Sequence, residues 1–172
     1  HFKNFFATST YPTLLWRQAW LGAVCVGLNM VLSFMLALAL NKNYRMRGFF
    51  RAAVYMPSVA AVTATSAVFV ALLDPSGGGI NGLIKALGGK PIVWNYSQFW
   101  MLFWIVVYQI WRGIGPSAIL WLGGLQGIDA SLYEAAKVDG ANRWQEIRYI
   151  TIPGLRFITM YVMLTGIIGA MQ

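Results

Sequence analysis

Long uncharged apolar runs alternate with short polar stretches along this chain, on the scale of membrane-spanning helices. The first run covers residues 19–40 and the second 52–73, both without a charged residue. Each is long enough to cross a hydrocarbon core of about 30 Å as a helix. Pro57 lies near the start of the second run and predicts a kink or an irregular first turn. A third run, 99–125, is interrupted by Arg112, Gly113, Gly115 and Pro116. The fourth, 157–172, would rise only about 24 Å, so it is expected to be an incomplete span. The chain opens on His1 rather than Met and carries no signal peptide, so it is expected to be a piece of a larger protein. None of its loops shows the alternating ten-residue segments of a barrel. The expected fold is an all-α, polytopic transmembrane helix bundle with about four spans.

Composition agrees: 58% of residues are hydrophobic and 10% charged, with a mean hydropathy of +0.59. A soluble domain carries about 25% charged residues. The net charge of +8 forms no single patch, which argues against nucleic acid as a partner. The basic residues sit beside the apolar runs and set orientation instead. Lys42, Arg45, Arg47 and Arg51 precede the second run, and Lys137, Arg143, Arg148 and Arg156 precede the fourth. The other side has Lys3, Arg17, Lys85 and Lys90. Eight against four places the first two groups in the cytoplasm.

Little here resembles an enzyme. The five acids, Asp74, Asp129, Glu134, Asp139 and Glu146, all lie in loops, and Cys25 is alone in an apolar run. No arrangement suits a metal site, a nucleophilic triad or a cofactor. In the outer loop 74–98, Ile80, Leu83, Ile84 and Leu87 recur at helical spacing and Gly88 can end the turn, which predicts a short amphipathic helix. The loop is no phosphate cradle: Pro91 follows Gly89-Lys90, and Ile84 stands where the first Gly of a P-loop belongs.

The most informative stretch is EAAKVDGANRWQEIRYITIP, ending at Pro153. Residues 132–139 suit a short helix with Ser131 as N-cap and Glu134 closing a capping box. Gly140 tolerates the left-handed backbone of a turn. Residues 141–150 are again helical in period, with Trp144, Ile147 and Ile150 on one face and Pro153 as the stop. A compact helix-turn-helix outside the membrane results.

Four aromatic residues of the third run, Trp100, Trp104, Tyr108 and Trp111, fall within about 80° on a helical wheel. Such a stripe suits sugar rings, whose C–H faces cover aromatic faces while indole and phenol groups hydrogen-bond. It equally suits packing against a helix or facing lipid, with Trp100 as an interface anchor. Arg112 must face a cavity, a backbone carbonyl or a partner subunit. Gln109 and Asn29 line a path or join helices, with Ser33 one turn beyond Asn29. Thr63, Thr65 and Ser66 can bond their own helix backbone. Gly123 and Gly127 form a GxxxG at the cytoplasmic end, where they allow a tight turn.

Glu134-Ala135-Ala136, Gly140, Ile150, Ile152 and Pro153 together resemble the EAA loop of permease subunits in binding-protein-dependent ABC importers. One position departs: Ile152 stands where that family usually has Leu. RMRGFFRAAVYMPS, GGGINGLIKALG, FWIVVYQIWRGIG and FKNFFATSTY resemble further segments of the carbohydrate group, the one taking maltose, oligosaccharides and glycerol phosphate. The resemblance implies a type I importer in the bacterial or archaeal cytoplasmic membrane. This chain would be part of its transmembrane domain, with 128–156 as the EAA coupling loop. It also implies a second permease subunit, two cytoplasmic ATPases that alone hydrolyse ATP, and an external binding protein delivering a sugar. Glu134, Ala135, Ala136, Asp139, Gly140, Ile150 and Pro153 would dock the ATPase. Trp104, Tyr108, Gln109, Trp111 and Arg112 are the residues expected along the substrate path. An amino-acid or glycerol-phosphate permease is the alternative within the importers. A secondary transporter would need acids or His within the complete spans, and these have none. A simple membrane anchor would not need the EAA spacing.

Overall fold

The structure, a computed structural model, describes residues 10–42 and 45–171. The segment FKNFFATSTY and Lys3 lie outside the described residues, apart from the backbone at the end of that segment. Helix follows helix, with no strand among the described residues. The order is α1 (Thr10–Leu40), α2 (Arg47–Val59), α3 (Val62–Leu72) and α4 (Gly79–Ala86), a 3-10 turn (Trp94–Tyr96), then α5 (Gln98–Gln126) and α6 (Ala130–Val138). After these come α7 (Arg143–Glu146), a π turn (Ile147–Thr151), α8 (Ile152–Gly154) and α9 (Arg156–Met171).

Helix α1 begins well before residue 19 and carries Arg17 within it. By length and hydropathy, Pro12–Leu40 is a single helix able to cross a membrane. The second apolar run is not one helix. Helix α2 starts at Arg47, so Pro57 falls in its last turn rather than its first. The chain then breaks at Ala60 and Ala61, and α3 leaves at 95° to α2. The physical cause is the missing N–H of Pro57, which loosens the final turn of α2. The third run behaves in the opposite way. Arg112, Gly113, Gly115 and Pro116 interrupt nothing, and α5 runs through all four for 29 residues, about 43 Å.

Helices α1 and α5 pack along each other, with α9 against α1 and α2 against α5. Ala37, Leu40, Trp121, Leu122, Leu125, Leu155 and Val162 form the buried centre. Trp121 donates its indole N–H to Ser33 Oγ at 3.0 Å, and its ring meets Phe34 edge-on at 5.4 Å. The Ser33 hydroxyl donates in turn to Met30 O. Of the glycines near the end of α5, Gly124 is the one in close packing, against Leu155 and Ile158. Gly127 caps the helix, and Gly123 has open space around it.

The outer loop folds as its spacing predicts. Helix α4 covers the apolar repeat, and Gly88 closes it at φ 81°. Asn81, fully buried, clamps the loop: its side-chain amide donates to Ile92 O at 2.9 Å and its Oδ1 accepts from Ile92 N at 2.9 Å.

Candidate functional site

The polar stretch between α5 and α9 is folded and self-tied. Asp129, not Ser131, is the N-cap of α6, and its carboxylate accepts from Ser131 N at 2.9 Å. The helix therefore starts two residues earlier than the spacing suggested, and Glu134 closes no capping box. That bond, reinforced by the Ser131 side chain, holds the Asp129 carboxyl below the usual aspartate value. Asp139 ends α6, donating its N–H to Ala135 O at 3.0 Å, and the Gly140 N–H donates to Lys137 O at 3.1 Å. Gly140 follows at φ 77°, the turn its identity predicts. The capping box sits instead on α7, where Asn142 and Gln145 satisfy each other's backbone N–H groups at 2.9 and 2.7 Å.

Pro153 does not stop the second helix. The backbone widens into the π turn just before it, Ile152 N–H reaching Ile147 O, and continues through α8. Pro153 cannot donate to the carbonyl one turn back, and a wider turn absorbs the missing bond. The chain then bends by 69° at Leu155 into α9. Thr151, buried at 2%, bonds the Tyr133 hydroxyl at 2.9 Å and joins the two halves of the loop. Neither residue carries a signal in the sequence beyond its type.

Glu134, Ala135, Asp139, Gly140 and Pro153 are exposed on this loop, while Ala136 and Ile150 are half-buried. Val138, Trp144 and Tyr149 are apolar or aromatic and largely exposed beside them. The arrangement is a helix-turn-helix presenting small residues, the Glu134 and Asp139 carboxylates and an apolar rim.

The aromatic stripe divides. Trp104 turns toward a cavity of about 520 Å³ at the end of α5 nearest the outer loop, bordered also by Phe69, Asp74, Trp94 and Tyr108. Trp94 packs edge-on against Trp100 at 5.1 Å and Trp104 at 5.5 Å. The indole N–H groups of Trp94 and Trp104 are buried with no acceptor among the described residues, so neither is open to a ligand in this conformation. Tyr108 is occupied: its hydroxyl lies 2.9 Å from Thr65 Oγ1 and 3.2 Å from Ser66 Oγ. Trp111 packs on Phe69 at 5.5 Å and remains part-exposed. Arg112 stands one turn beyond Tyr108 on the same side of α5. Thr65 and Ser66 do bond their own helix backbone, at Ala61 O and Val62 O. Their additional bond to Tyr108 is not legible in the sequence.

Gln109 borders the outer cavity and also a second one, of about 270 Å³, between α1, α5 and α9. Asn29, Ser117 and Thr165 line this second cavity together with Gly113, Gly166 and Gly169. Asn29 Nδ2 packs so closely on Gly113 that a Cβ there would lie 2.8 Å from it. Amide and hydroxyl groups thus gather between otherwise apolar helices, where they can join the helices or line a polar cavity.

A family model described as "Binding-protein-dependent transport system inner membrane component" matches residues 29–172. The lactose transport system permease protein LacF of Rhizobium radiobacter is 34% identical over 152 residues, 87% of this chain and 51% of that protein. The trehalose/maltose transport system permease protein MalF of Thermococcus litoralis is 30% identical over 149 residues, 87% of this chain and 50% of that protein. A crystal structure of a bacterial ABC transporter involved in the import of the acidic polysaccharide alginate superimposes with a TM-score of 0.81 at 26% identity, covering 96% of this chain and 59% of that one. The chain thus spans about half the length of the curated relatives it matches. With the family match running from within α1 to the last residue, the chain belongs to the inner membrane components of binding-protein-dependent transport systems.

Proposed function

We propose that this chain is part of the permease of an ATP-driven importer that takes up a sugar or oligosaccharide delivered by an external binding protein. It works with a second permease subunit and two cytoplasmic ATPases, in the bacterial or archaeal cytoplasmic membrane. The observation that carries the reading is the exposed loop 128–156: Glu134 and Ala135 on a capped helix, a glycine turn at φ 77°, and a second helix tied back through Thr151. Small side chains let a partner's backbone approach closely. The Glu134 carboxylate, with Asp139 at the end of the same helix, offers charged contacts to be satisfied on docking. Because the loop is internally bonded, movement of the docked ATPase reaches α9 as a rigid-body displacement.

The sugar assignment is supported by the names of the relatives, which carry lactose, trehalose/maltose and alginate. Within this chain the sugar path runs past Gln109 and the polar cavity of Asn29, Ser117 and Thr165, with Trp104, Trp111 and Arg112 along its outer part. Glycines on two walls, Gly113 on α5 and Gly166 and Gly169 on α9, leave room for a ring, and amide groups supply donors and acceptors for its hydroxyls.

The test is the double variant Glu134→Lys, Gly140→Pro in the assembled transporter. Proline cannot adopt φ 77°, and its missing amide removes the bond from Gly140 N to Lys137 O. Membrane insertion should persist, while copurification of the ATPase and ATP-driven uptake of labelled sugar are lost. A variant that keeps its ATPase and transports at the wild-type rate would reduce the loop to a connector. Uptake of amino acids rather than sugars by the wild-type system would overturn the substrate assignment.

A further inference from the structure

We propose that Tyr108 is a positioning residue that fixes the angle of the elbow between α2 and α3, its hydroxyl serving the helices rather than the transported solute. The inference rests on the permease reading above only for its transport readout; the geometry stands by itself.

The elbow has little to hold it from within. Ala60 and Ala61 are extended, at φ −65°, ψ 143° and φ −56°, ψ 134°, so two non-helical residues link two helices at 95°. Their backing is α5, which passes unbroken behind both. Gly115 and Tyr108 are seven residues apart on α5, about 20° from alignment on one stripe. At Gly115 the backbone of α2 comes so near that a Cβ would run into the Val54 carbonyl oxygen. Two turns away, the Tyr108 hydroxyl reaches Thr65 Oγ1 at 2.9 Å, Ser66 Oγ at 3.2 Å and Val62 O at 3.4 Å, all in the first two turns of α3. Phe69 completes this grip, edge-on to the Tyr108 ring at 5.1 Å. One half of the elbow is therefore seated by the absence of a side chain and the other by a hydroxyl.

The hydroxyl is turned toward α3 rather than held out for a solute. A phenol carries one proton, which it can donate to one of the three α3 oxygens around it, Thr65 Oγ1, Ser66 Oγ or Val62 O. The Thr65 and Ser66 hydroxyls also reach α3 carbonyls, so a solute would have to compete with contacts the helices already make.

The experiment uses the complete transporter with its ATPase and binding protein. Spin labels are placed at Phe50→Cys on α2 and Val68→Cys on α3, both exposed, in a Cys25→Ser background. Tyr108→Phe removes only the hydroxyl. It should shift or broaden the distance distribution between the labels. Maximal sugar uptake should fall about three- to tenfold, the range expected for a polar contact between membrane helices, with the half-saturating concentration unchanged. Thr65→Val should reproduce both effects, and it decides the matter if Tyr108→Phe fails to assemble. An unchanged distance distribution in these variants would overturn the proposal. A raised half-saturating concentration with unchanged distances would make Tyr108 a sugar contact instead. Should the wild type carry no sugar while the labels still respond to Tyr108→Phe, the permease reading fails and the elbow assignment stands.

Discussion

The elbow after Pro57 and the bend after Pro153 turn the chain through 95° and 69°, each within a few residues of a proline. The two are held by different means. At the second bend the backbone repairs itself: Ile152 N–H reaches Ile147 O across the π turn, and Leu155 N–H is shared between Thr151 O and Ile152 O at 3.1 and 3.3 Å. Thr159 then returns both its N–H and its hydroxyl to Leu155 O, at 2.8 and 2.9 Å. At the elbow, Ala60 and Ala61 are extended, and the restraint comes from α5 through Gly115 and Tyr108. A bend re-paired in its own backbone is a stiff corner, fit to transmit a push from the loop. A bend held by a neighbour can change angle when that neighbour shifts, at the cost of only a few contacts.

The contrast can be broken most strongly at the two glycines of α5 that face these bends. A Cβ on Gly115 meets the backbone of α2, which cannot step aside without separating the helices. A Cβ on Gly124 meets the Leu155 and Ile158 side chains, at 2.6 and 2.9 Å, and those tips can rotate. Gly115→Ala should therefore cost about 1–3 kcal/mol, the usual range for overpacking, and Gly124→Ala clearly less. Thermal unfolding of the purified complex checks the order. Equal losses would mean that α2 and α9 lean on α5 with the same tolerance.

A smaller effect is expected at Thr151, which ties the stiff corner to the rest of its loop. Thr151→Val keeps the shape but removes the hydroxyl that Tyr133 bonds at 2.9 Å, leaving a part-buried phenol short of a partner. The expected cost is about 1 kcal/mol, and Thr151→Ser should restore most of it. Thermal unfolding again measures the loss, and the fraction of ATPase copurifying shows whether docking follows it. If Thr151→Val is as stable as the wild type, the hydroxyl bond to Tyr133 does not hold the loop.

These regions also differ in how much the residue order reveals. Gly140 was legible because a left-handed turn needs Gly, and the amphipathic repeat of α4 because its apolar residues share a face. The elbow was half-legible. Pro57 announces a disturbance, but where the helix breaks depends on how far upstream it begins, and Arg47 and Arg51 disguised that start as loop. Pro153 misled for a related reason, since a proline stops a helix only when no wider turn can absorb the missing bond. The N-cap shifted from Ser131 to Asp129 because both residues can cap, and only the backbone path decides between them. Least legible was the fate of the aromatic stripe. Its common face was plain, yet the partner that claimed Tyr108 sits more than forty residues away, at Thr65 and Ser66. Side chains of that kind usually bond their own helix, and here they do so while also holding a second one.

The smallest expected effect concerns Asp129, at the start of the loop that leads to the stiff corner. Its carboxylate accepts from Ser131 N–H at 2.9 Å, which favours the ionised form and holds its pKa below the usual aspartate value. For a carboxylate depressed on folding, the stabilisation is present above the unfolded value and is lost as pH falls through the folded one. The cap of α6 should accordingly survive some way below the range in which an ordinary aspartate protonates, then weaken. Asp129→Asn offers a neutral oxygen in the same place and remains a good N-cap, so its cap should show no such pH dependence. Amide exchange at the start of α6, corrected for intrinsic rates, measures both variants across the acid range. Protection that falls with pH in the wild type and stays level in Asp129→Asn would assign the change to this carboxylate. Parallel curves would place it elsewhere in the loop. The effect stays small because the group is fully exposed, and Thr151 still ties the loop together when the cap is gone.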